Sequence, residues 1–210
     1  MKAFDIITES DARVIEYGAT VALAPGGHIT PLARDTLRER RITVVPGGSV
    51  DPALPSDLAP PAEIRRVSIG SDHTGVGLKA ELVQYLRAQG LAVEDVGTET
   101  KDPVDYPDIA AAVARQVVRR EADAGIVIDG AGIGSAIAAN KVRGARAVMA
   151  TNATLARYGR EHNGANVLTL GSTLVSPAEA REIVQTFLAT PMREARYIRR
   201  LLKIRDLERP

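Results

Sequence analysis

The sequence predicts an α/β protein: an open, doubly wound parallel sheet of about five strands, preceded by a small N-terminal α/β extension. Two observations support this prediction. From residue 64 onward, short apolar segments alternate regularly with segments of helical periodicity, which is typical of parallel βαβ units. In addition, Gly125–Ile128 is a continuous apolar segment, typical of a strand that is buried on both faces. Ligands of such sheets bind outside the carboxyl ends of the strands, so the loops that follow the strands are the candidate site.

The individual elements follow from the same periodicity. Strands are expected at 67–70, 92–96, 125–128, 145–150 and 166–170. Helices are expected at 78–89, 109–120, 135–141, 154–162 and 177–188.

The chain divides at a proline-rich segment. Five of the twelve prolines fall within residues 46–63, which we interpret as a stiff linker between an extension (1–45) and a main domain (64–210). In the extension, Ser10 is expected to cap a helix over 11–17, and Pro25–Gly27 is expected to form a turn between a strand and a second helix. A segment of this size buries little core by itself.

Composition excludes several classes of protein. The 210 residues contain no cysteine, so a disulfide scaffold, a thiolate metal site and a cysteine nucleophile are excluded. Aromatic residues make up 3% and tryptophan is absent, which argues against a nucleic-acid surface built on base stacking. No targeting segment or apolar stretch of membrane-spanning length is visible, so we expect a soluble, cytoplasmic protein that binds neither nucleic acid nor a membrane.

Three loops carry side chains that can take part in catalysis or ligand binding. Asp72 and His73 follow the first strand of the main domain, where the alternative is a helix cap beside a surface histidine. Asp129 follows the buried strand and opens a glycine-rich turn. His162 and Asn163 lie at a helix-to-strand junction, where the alternative is a helix C-cap.

The glycine-rich turn suits an anion. Its residues are Gly130, Ala131, Gly132, Ile133 and Gly134, and their backbone N–H groups point toward any negative charge at the start of the following helix. The spacing is neither that of a dinucleotide fingerprint nor that of a P-loop. A turn selected only for tight packing is the alternative.

Basic residues concentrate at the carboxyl terminus, where the last twenty residues carry seven basic and three acidic side chains. Arg193, Arg196 and Arg200 share one face of a predicted helix. Arginine matches the geometry of phosphate, whereas a solvated charged face is the plainer interpretation.

Together these motifs resemble the ribose-5-phosphate isomerase B and galactose-6-phosphate isomerase family over residues 64–210. The matching segments are Gly70–His73 with Leu78-Lys79, Asp105–Pro107, Gly130–Gly134 with Ala139–Lys141, Arg160–Asn163 with Asn166–Leu168, and Arg196 with Arg200. The resemblance implies a fold of the Rossmann or flavodoxin type. It also implies interconversion of aldose and ketose phosphates through a cis-enediolate, without metal or cofactor.

The resemblance also implies roles for individual residues. His73, Arg196 and Arg200 would hold the substrate phosphate, with the arginines supplied by a second subunit of a homodimer or tetramer. Asp72 and Tyr106 would line the sugar. His162 would open the sugar ring, and Asn163 would bind the substrate. The enediolate would be stabilised by the backbone N–H groups of Gly130, Ala131, Gly132, Ile133 and Gly134.

The chain departs from the family at the base. Asp129 stands where much of the family has cysteine, Ser135 stands where a second branch has glutamate, and Ala131 replaces a threonine linked to ring opening. One interpretation makes Asp129 the base, because a carboxylate can perform this proton transfer. The other is a weak or silent sugar-phosphate binder or partner subunit. An unrelated nucleotide-binding enzyme on the same sheet is a third alternative. The missing threonine hydroxyl suggests an open-chain substrate such as a tetrose phosphate.

The extension has a resemblance of its own. The segments Ile7–Arg13 and Ile29–Arg34 are similar to N-terminal regions of some bacterial microcompartment enzymes. This implies docking to shell or cargo proteins inside a microcompartment, and the alternative is an extension that packs on the main domain.

Overall fold

The computed structural model describes residues 3–46, 58, 61, 63–192 and 195–208. The described chain forms two compact units. The first lies within Met1–Ser56 and Arg193–Ile204, and the second lies within Asp57–Met192 and Arg205–Pro210. Most of the predicted linker, 46–63, is outside the described residues.

The first unit contains a three-stranded parallel sheet in the order β1-β2-β3. Its elements are β1 (Ala3–Ile7), α1 (Glu9–Val14), β2 (Thr20–Ile29), α2 (Pro31–Glu39) and β3 (Thr43–Pro46), followed at the far end of the chain by much of α8 (Ala195–Asp206). A small apolar core that includes Ile7, Val21 and Leu37 holds the sheet and the first two helices together.

Three details of this unit differ from the sequence-based expectation. Strand β1 was not expected. The predicted cap, Ser10, is not the cap of α1, because Thr8 accepts the N–H of Asp11. The predicted turn at Pro25–Gly27 lies within β2, where the pairing register shifts. Pairing with β1 allows the strand to continue through the irregularity, and that pairing is not visible locally.

The second unit contains the five-stranded parallel sheet, which confirms the predicted fold class. Its strands are β4 (Arg66–Ser71), β5 (Ala92–Asp95), β6 (Ala124–Asp129), β7 (Ala147–Met149) and β8 (Val167–Gly171), and its helices are α3 (Val76–Ala88), α4 (Tyr106–Val118), α5 (Ile133–Ala139), α6 (Ala153–Asn163) and α7 (Pro177–Ala189). None of the described helices is both long and apolar enough to cross a membrane.

Two apolar cores form on opposite faces of this sheet. Alternate residues of β6 supply them, since successive side chains of a strand point to opposite faces. Ile126 and Ile128 belong to the larger core, with residues of α3, α6 and α7. Val127 belongs to the smaller core, with residues of α4 and the end of α5. Asp129 continues the alternation from Val127.

The strand order β5-β4-β6-β8-β7 locates the binding end of the sheet. The chain moves from β4 outward to β5 in one direction and then returns to β6 on the other side of β4. Connections therefore diverge between β4 and β6, and a crevice opens outside their carboxyl ends. Asp72 and Asp129 stand at these two ends.

The opposite end of the sheet provides a pH-dependent stability test. Asp123 accepts hydrogen bonds from the backbone N–H groups of Arg65 (2.9 Å) and Arg66 (2.8 Å) and from the Arg66 guanidinium (2.7 Å). Burial alone would raise the pKa of Asp123, but these donors outweigh it and hold the pKa below its ordinary value. A depressed carboxyl pKa stabilises the folded state above the unfolded pKa of about 3.9, and this stabilisation is lost as the pH falls through the folded pKa.

We therefore expect Asp123→Asn to lower the free energy of unfolding by about 1–2 kcal/mol at pH 7. The difference from wild type should shrink below about pH 4, as measured by urea unfolding across pH. Glu63→Gln is the control, because Glu63 belongs to an ion pair with Arg65 that is exposed on both sides and should show no measurable change. A difference that stays constant down to pH 3 would contradict the assignment.

Candidate active site

Asp72 and His73 lie where β4 ends. Asp72 is buried, with 6% of its surface exposed. Its Oδ1 accepts the N–H (2.9 Å) and the hydroxyl (2.6 Å) of Thr74. Within the described chain no donor bonds to Oδ2 of Asp72, so this oxygen is available to a ligand. The cap position of α3 is taken by Gly75, which makes no side-chain cap bond, so Asp72 does not cap that helix.

His73 is oriented by the segment that precedes α4. The Val104 N–H donates to Nδ1 of His73 at 3.4 Å. When Nδ1 accepts, the neutral imidazole carries its hydrogen on Nε2. Nε2 is therefore the donor that His73 offers to a ligand.

Asp129 is buried, with 4% of its surface exposed, and all of its bonding capacity is used internally. Oδ1 accepts the N–H groups of Ala131 (2.8 Å) and Gly132. Oδ2 accepts the N–H (2.9 Å) and the hydroxyl of Ser135. An ionised carboxylate has about four lone-pair sites, so four donors leave none for a proton. Two of the loop N–H groups predicted to stabilise an enediolate are occupied by this carboxylate.

The glycine-rich loop is enclosed by its neighbours. Gly132 has φ 77°, and a Cβ there would lie 2.9 Å from the backbone carbon of Leu170, so a side chain is excluded on both counts. A Cβ on Gly134 would lie 2.5 Å from the ring of Tyr106, which places that ring directly against the loop. Gly130 and Ala131 are half-buried, and Ile133 is exposed.

Hydroxyl groups that the sequence reasoning did not select support this loop. The Thr173 hydroxyl donates to the carbonyl of Gly130 (2.6 Å), and the buried Thr169 hydroxyl donates to the carbonyl of Gly132 (2.7 Å). Thr173 follows β8 and Thr169 lies within it. The sequence could have indicated Thr173, because it follows β8 and parallel strands bring their carboxyl ends to the same edge of the sheet.

Lys79 is a further residue whose structural role was not foreseen. Its side chain is 3% exposed, and its Nζ lies 2.6 Å from Oδ2 of Asp95. The same ammonium donates to the carbonyl of Thr98 (2.8 Å). Thr98 in turn donates its N–H to the carbonyl of Ser71 (3.1 Å). Lys79 therefore anchors the loop that lies against the end of β4.

His162 and Asn163 lie at the other end of the same sheet. Helix α6 follows β7 and runs back toward the amino ends of the strands, so its last turn lies near the start of β8. Residue 167 pairs with the start of β6 and residue 171 pairs with Asp129. Four residues of strand span about 13 Å. One chain thus does not bring His162 or Asn163 to Asp72 and Asp129. The predicted order of strands and helices could have indicated this separation. A helix that connects two parallel strands runs antiparallel to them and therefore ends near their amino ends.

The α6 terminus holds His162 by its own contacts. The imidazole stacks on Tyr158, with ring centroids 4.8 Å apart and an interplanar angle of 16°. The helix is closed by Gly164 at φ 55°, so neither His162 nor Asn163 is its C-cap.

Two arginines donate hydrogen bonds to the backbone of the turn that follows α6. Arg160 donates to the carbonyl of Ala165 (3.0 Å), and Arg146 donates to the carbonyl of Gly164 (2.9 Å). Burial, with a smaller effect of the nearby Arg146 charge, lowers the pKa of Arg160 to about 10. Arg160 is therefore a structural cation and not a ligand of the site.

The carboxyl-terminal arginines lie in α8. Arg200 is exposed, and its guanidinium lies 5.8 Å from the ring centroid of Tyr197. Arg196 is on the helical backbone, but its side chain is outside the described part of the structure, as is Arg193. No group of three or more metal-binding side chains occurs among the described residues.

Comparison with known proteins identifies the family. A family model described as Ribose/Galactose Isomerase matches residues 67–204. The chain belongs to the ribose/galactose isomerase family. This family assignment agrees with the resemblance of the loop motifs and makes the chain a member of a family of sugar-phosphate isomerases.

Curated members of the family are similar over nine tenths or more of their length. Ribose-5-phosphate isomerase B of Escherichia coli is 39% identical over 145 residues, which cover 69% of this chain and 97% of the relative. The protein of the same name from Mycobacterium leprae is 39% identical over 146 residues, which cover 69% of this chain and 90% of the relative.

Solved structures from the family agree with the fold. Clostridium thermocellum ribose-5-phosphate isomerase B has a TM-score of 0.67 and 45% identity, covering 68% of this chain and 97% of its own. Ribose-5-phosphate isomerase B of Mycoplasma genitalium, solved with bound ribulose-5-phosphate, has a TM-score of 0.66 and 37% identity, covering 70% of this chain and 97% of its own. The N-terminal extension precedes the residues that the family model matches.

Proposed function

We propose that this protein isomerises a small phosphorylated sugar between its aldose and ketose forms through a cis-enediolate, with Asp129 as the base. One observation carries the proposal: Asp72, His73, Asp129 and the glycine-rich loop converge at the carboxyl ends of β4 and β6. This is the switch point where an open α/β sheet binds its ligand.

The reaction needs one group to move a proton between neighbouring carbons, and other groups to bind the phosphate and to stabilise the negative charge that develops on the enediolate oxygens. Asp129 takes the proton from the hydroxyl-bearing carbon beside the carbonyl and returns it to the former carbonyl carbon. The proton of that hydroxyl passes to the former carbonyl oxygen, so the aldose and the ketose have the same composition. Asp72 offers its free Oδ2 to a sugar hydroxyl. His73 offers its Nε2 hydrogen to the phosphate, and Tyr106 lines the sugar. The first-turn N–H groups of α5 have no intrahelical acceptor, and those of Ile133 and Gly134 join Gly130 in stabilising the enediolate.

The carboxylate of Asp129 must lose one of its hydrogen-bond donors before it can act as a base. All four lone-pair sites of its carboxylate are occupied, so one hydrogen bond must break before a proton is accepted. Three of the four donors are backbone N–H groups at fixed positions. The Ser135 hydroxyl is the one that can rotate away.

A second copy of the chain completes the site in this proposal. His162 and Asn163 lie about 13 Å along the strand direction from Asp129, at the opposite end of the sheet. They reach a substrate beside Asp129 only from another subunit. We therefore propose a homodimer, or a tetramer built from two such dimers, in which His162, Asn163, Arg196 and Arg200 act on the substrate of the partner copy.

The proposed substrate is an open-chain sugar phosphate, such as a four-carbon one. Ala131 has no hydroxyl to assist ring opening. A tetrose phosphorylated at its end has no free hydroxyl with which to close a furanose ring, so it requires no such assistance. For such a substrate the glycine-rich loop has only to stabilise the enediolate, and no group is needed to open a ring.

A catalytically weak or silent sugar-phosphate binder, or a partner subunit, is the second candidate. The saturated carboxylate of Asp129 favours it, because a side chain with four donors and 4% exposure serves equally well as an internal cap of the loop. The two candidates share the phosphate site and differ only in proton transfer.

The deciding experiment is solvent deuterium incorporation into four-, five- and six-carbon sugar phosphates, followed by NMR. Exchange at the carbon beside the carbonyl, fastest with erythrose 4-phosphate, is the expected result. Faster turnover of ribose 5-phosphate would refute the open-chain substrate. Saturable binding without exchange of any sugar would establish the silent binder, and binding insensitive to inorganic phosphate would contradict both candidates.

For the extension, docking to microcompartment shell or cargo proteins remains a proposal beside a plain packing role. Ile7, Ala12 and Ala33 are fully buried in a core of the first unit. A docking partner would accordingly meet a folded surface rather than a flexible tail.

A further inference from the structure

We propose that Ser135 is a positioning residue for Asp129: its hydroxyl holds Oδ2 of the carboxylate and sets the pH range in which that oxygen can accept a proton. The inference rests on the isomerase proposed above, because only there does Asp129 have a proton to take.

The two side chains form a buried pair. Ser135 has 0% and Asp129 has 4% of its surface exposed. Ser135 contributes two donors to one oxygen, its N–H at 2.9 Å and its hydroxyl. Donors to a charged carboxylate favour the charged form over the protonated form. Removing one of them makes protonation easier.

The Ser135 hydroxyl is also the one of the four donors that can rotate. Ser135 lies in the first turn of α5, where its N–H has no helical acceptor and donates to Oδ2 of Asp129 instead. The hydroxyl can turn about its Cβ–Oγ bond until its oxygen, and not its hydrogen, faces Oδ2. When Asp129 is protonated, its O–H can donate to the Ser135 oxygen, so the pair accommodates both states of the carboxylate.

The elements packed against β6 and α5 carry other ionisable groups. Those at the end of β4 and around the start of α4 are Asp72, His73, Asp105, Tyr106 and Asp108, and those at the far ends of the same elements are Arg66 and Arg115. Strands β7 and β8, helix α5 and the loop through Thr173 contribute no ionisable side chain. Comparing variants of Ser135 leaves all these groups unchanged, so a difference between the variants reports on the pair.

The test uses the full-length protein and two measurements. Aspartate labelled with ¹³C at Cγ reports the titration of Asp129 by NMR without substrate, with Asp129→Asn identifying the resonance. The dependence of kcat and KM on pH is measured with the sugar phosphate that exchanges fastest. Ser135→Ala is expected to move both the NMR midpoint and the acid limb of kcat upward by about one pH unit. KM should stay within about twofold, because the hydroxyl does not contact substrate.

Two controls separate this role from a general disturbance of the loop. Ser135→Thr keeps the hydroxyl and should restore the wild-type midpoint. Thr169→Val removes a different buried hydroxyl, the one bonded to the Gly132 carbonyl, and should lower stability without moving the Asp129 midpoint. This control also covers the case in which Ser135→Thr does not fold.

The outcomes are distinct. An unmoved NMR midpoint in Ser135→Ala, or an equal shift in Thr169→Val, overturns the inference whether or not the enzyme turns over. A shifted midpoint with no turnover of any sugar phosphate overturns the catalytic role of the pair, and it identifies the proposed function as the step that failed. Matched shifts in the NMR midpoint and the acid limb support both.

Discussion

Replacing Asp129 by asparagine is expected to lower the rate of carbon–hydrogen exchange about a thousandfold, the scale of a lost general base. A carboxamide cannot accept the substrate proton. Its oxygen can keep the N–H groups of Ala131 and Gly132, but its NH₂ group then meets the two donors of Ser135. The measurement is solvent deuterium incorporation under single-turnover conditions, beside a thermal unfolding curve for each protein.

Asp129→Cys is the matched control for this prediction. Cysteine occupies this position in much of the family that the sequence resembles, and a thiolate is a competent base. It also removes the internal acceptor, so the loop N–H groups become free for the enediolate. We expect Asp129→Cys to retain exchange well above Asp129→Asn, although cysteine loses all four hydrogen bonds of the carboxylate and asparagine can keep two of them. If Asp129→Asn exchanges as fast as wild type, another group is the base, and Asp72 with its free Oδ2 becomes the first candidate.

Replacing Lys79 by methionine is expected to lower the free energy of unfolding of the second unit by about 3 kcal/mol. Methionine fills most of the volume but leaves Asp95 and the Thr98 carbonyl without their buried cation. The side chain of Asp95 is 25% exposed, and water can partly replace the lysine there, so the expected loss lies at the lower end for a broken buried ion pair. Urea unfolding at pH 7 measures it.

The control for Lys79 is an exposed pair on the same helix. Glu81 of α3 pairs with Arg181 of α7 at 2.9 Å, and the two side chains are 45% and 48% exposed. Arg181→Met should cost no more than about 0.5 kcal/mol. Equal losses in the two variants would mean that burial of the Lys79 pair contributes nothing beyond its charge.

The main sheet illustrates what periodicity predicts well. All five strands of the second unit lie where short apolar segments alternate with helical segments, and the sheet is parallel as expected. These signals are local, since each strand or helix buries its own apolar face. The first unit was predicted less well. Strand β1 and the continuation of β2 through Pro25 and Gly27 depend on pairing between distant segments, which no local pattern reports.

The sequence by itself determined the family, the parallel sheet and the strand ends that carry Asp72, His73 and Asp129, because these follow from residue types and their spacing. Only the tertiary structure decided what those residues touch. It surrounded the carboxylate of Asp129 with four donors and buried Lys79 against Asp95. Hydrogen bonding and burial depend on which segments meet in space, and a position in the sequence does not specify its neighbours there.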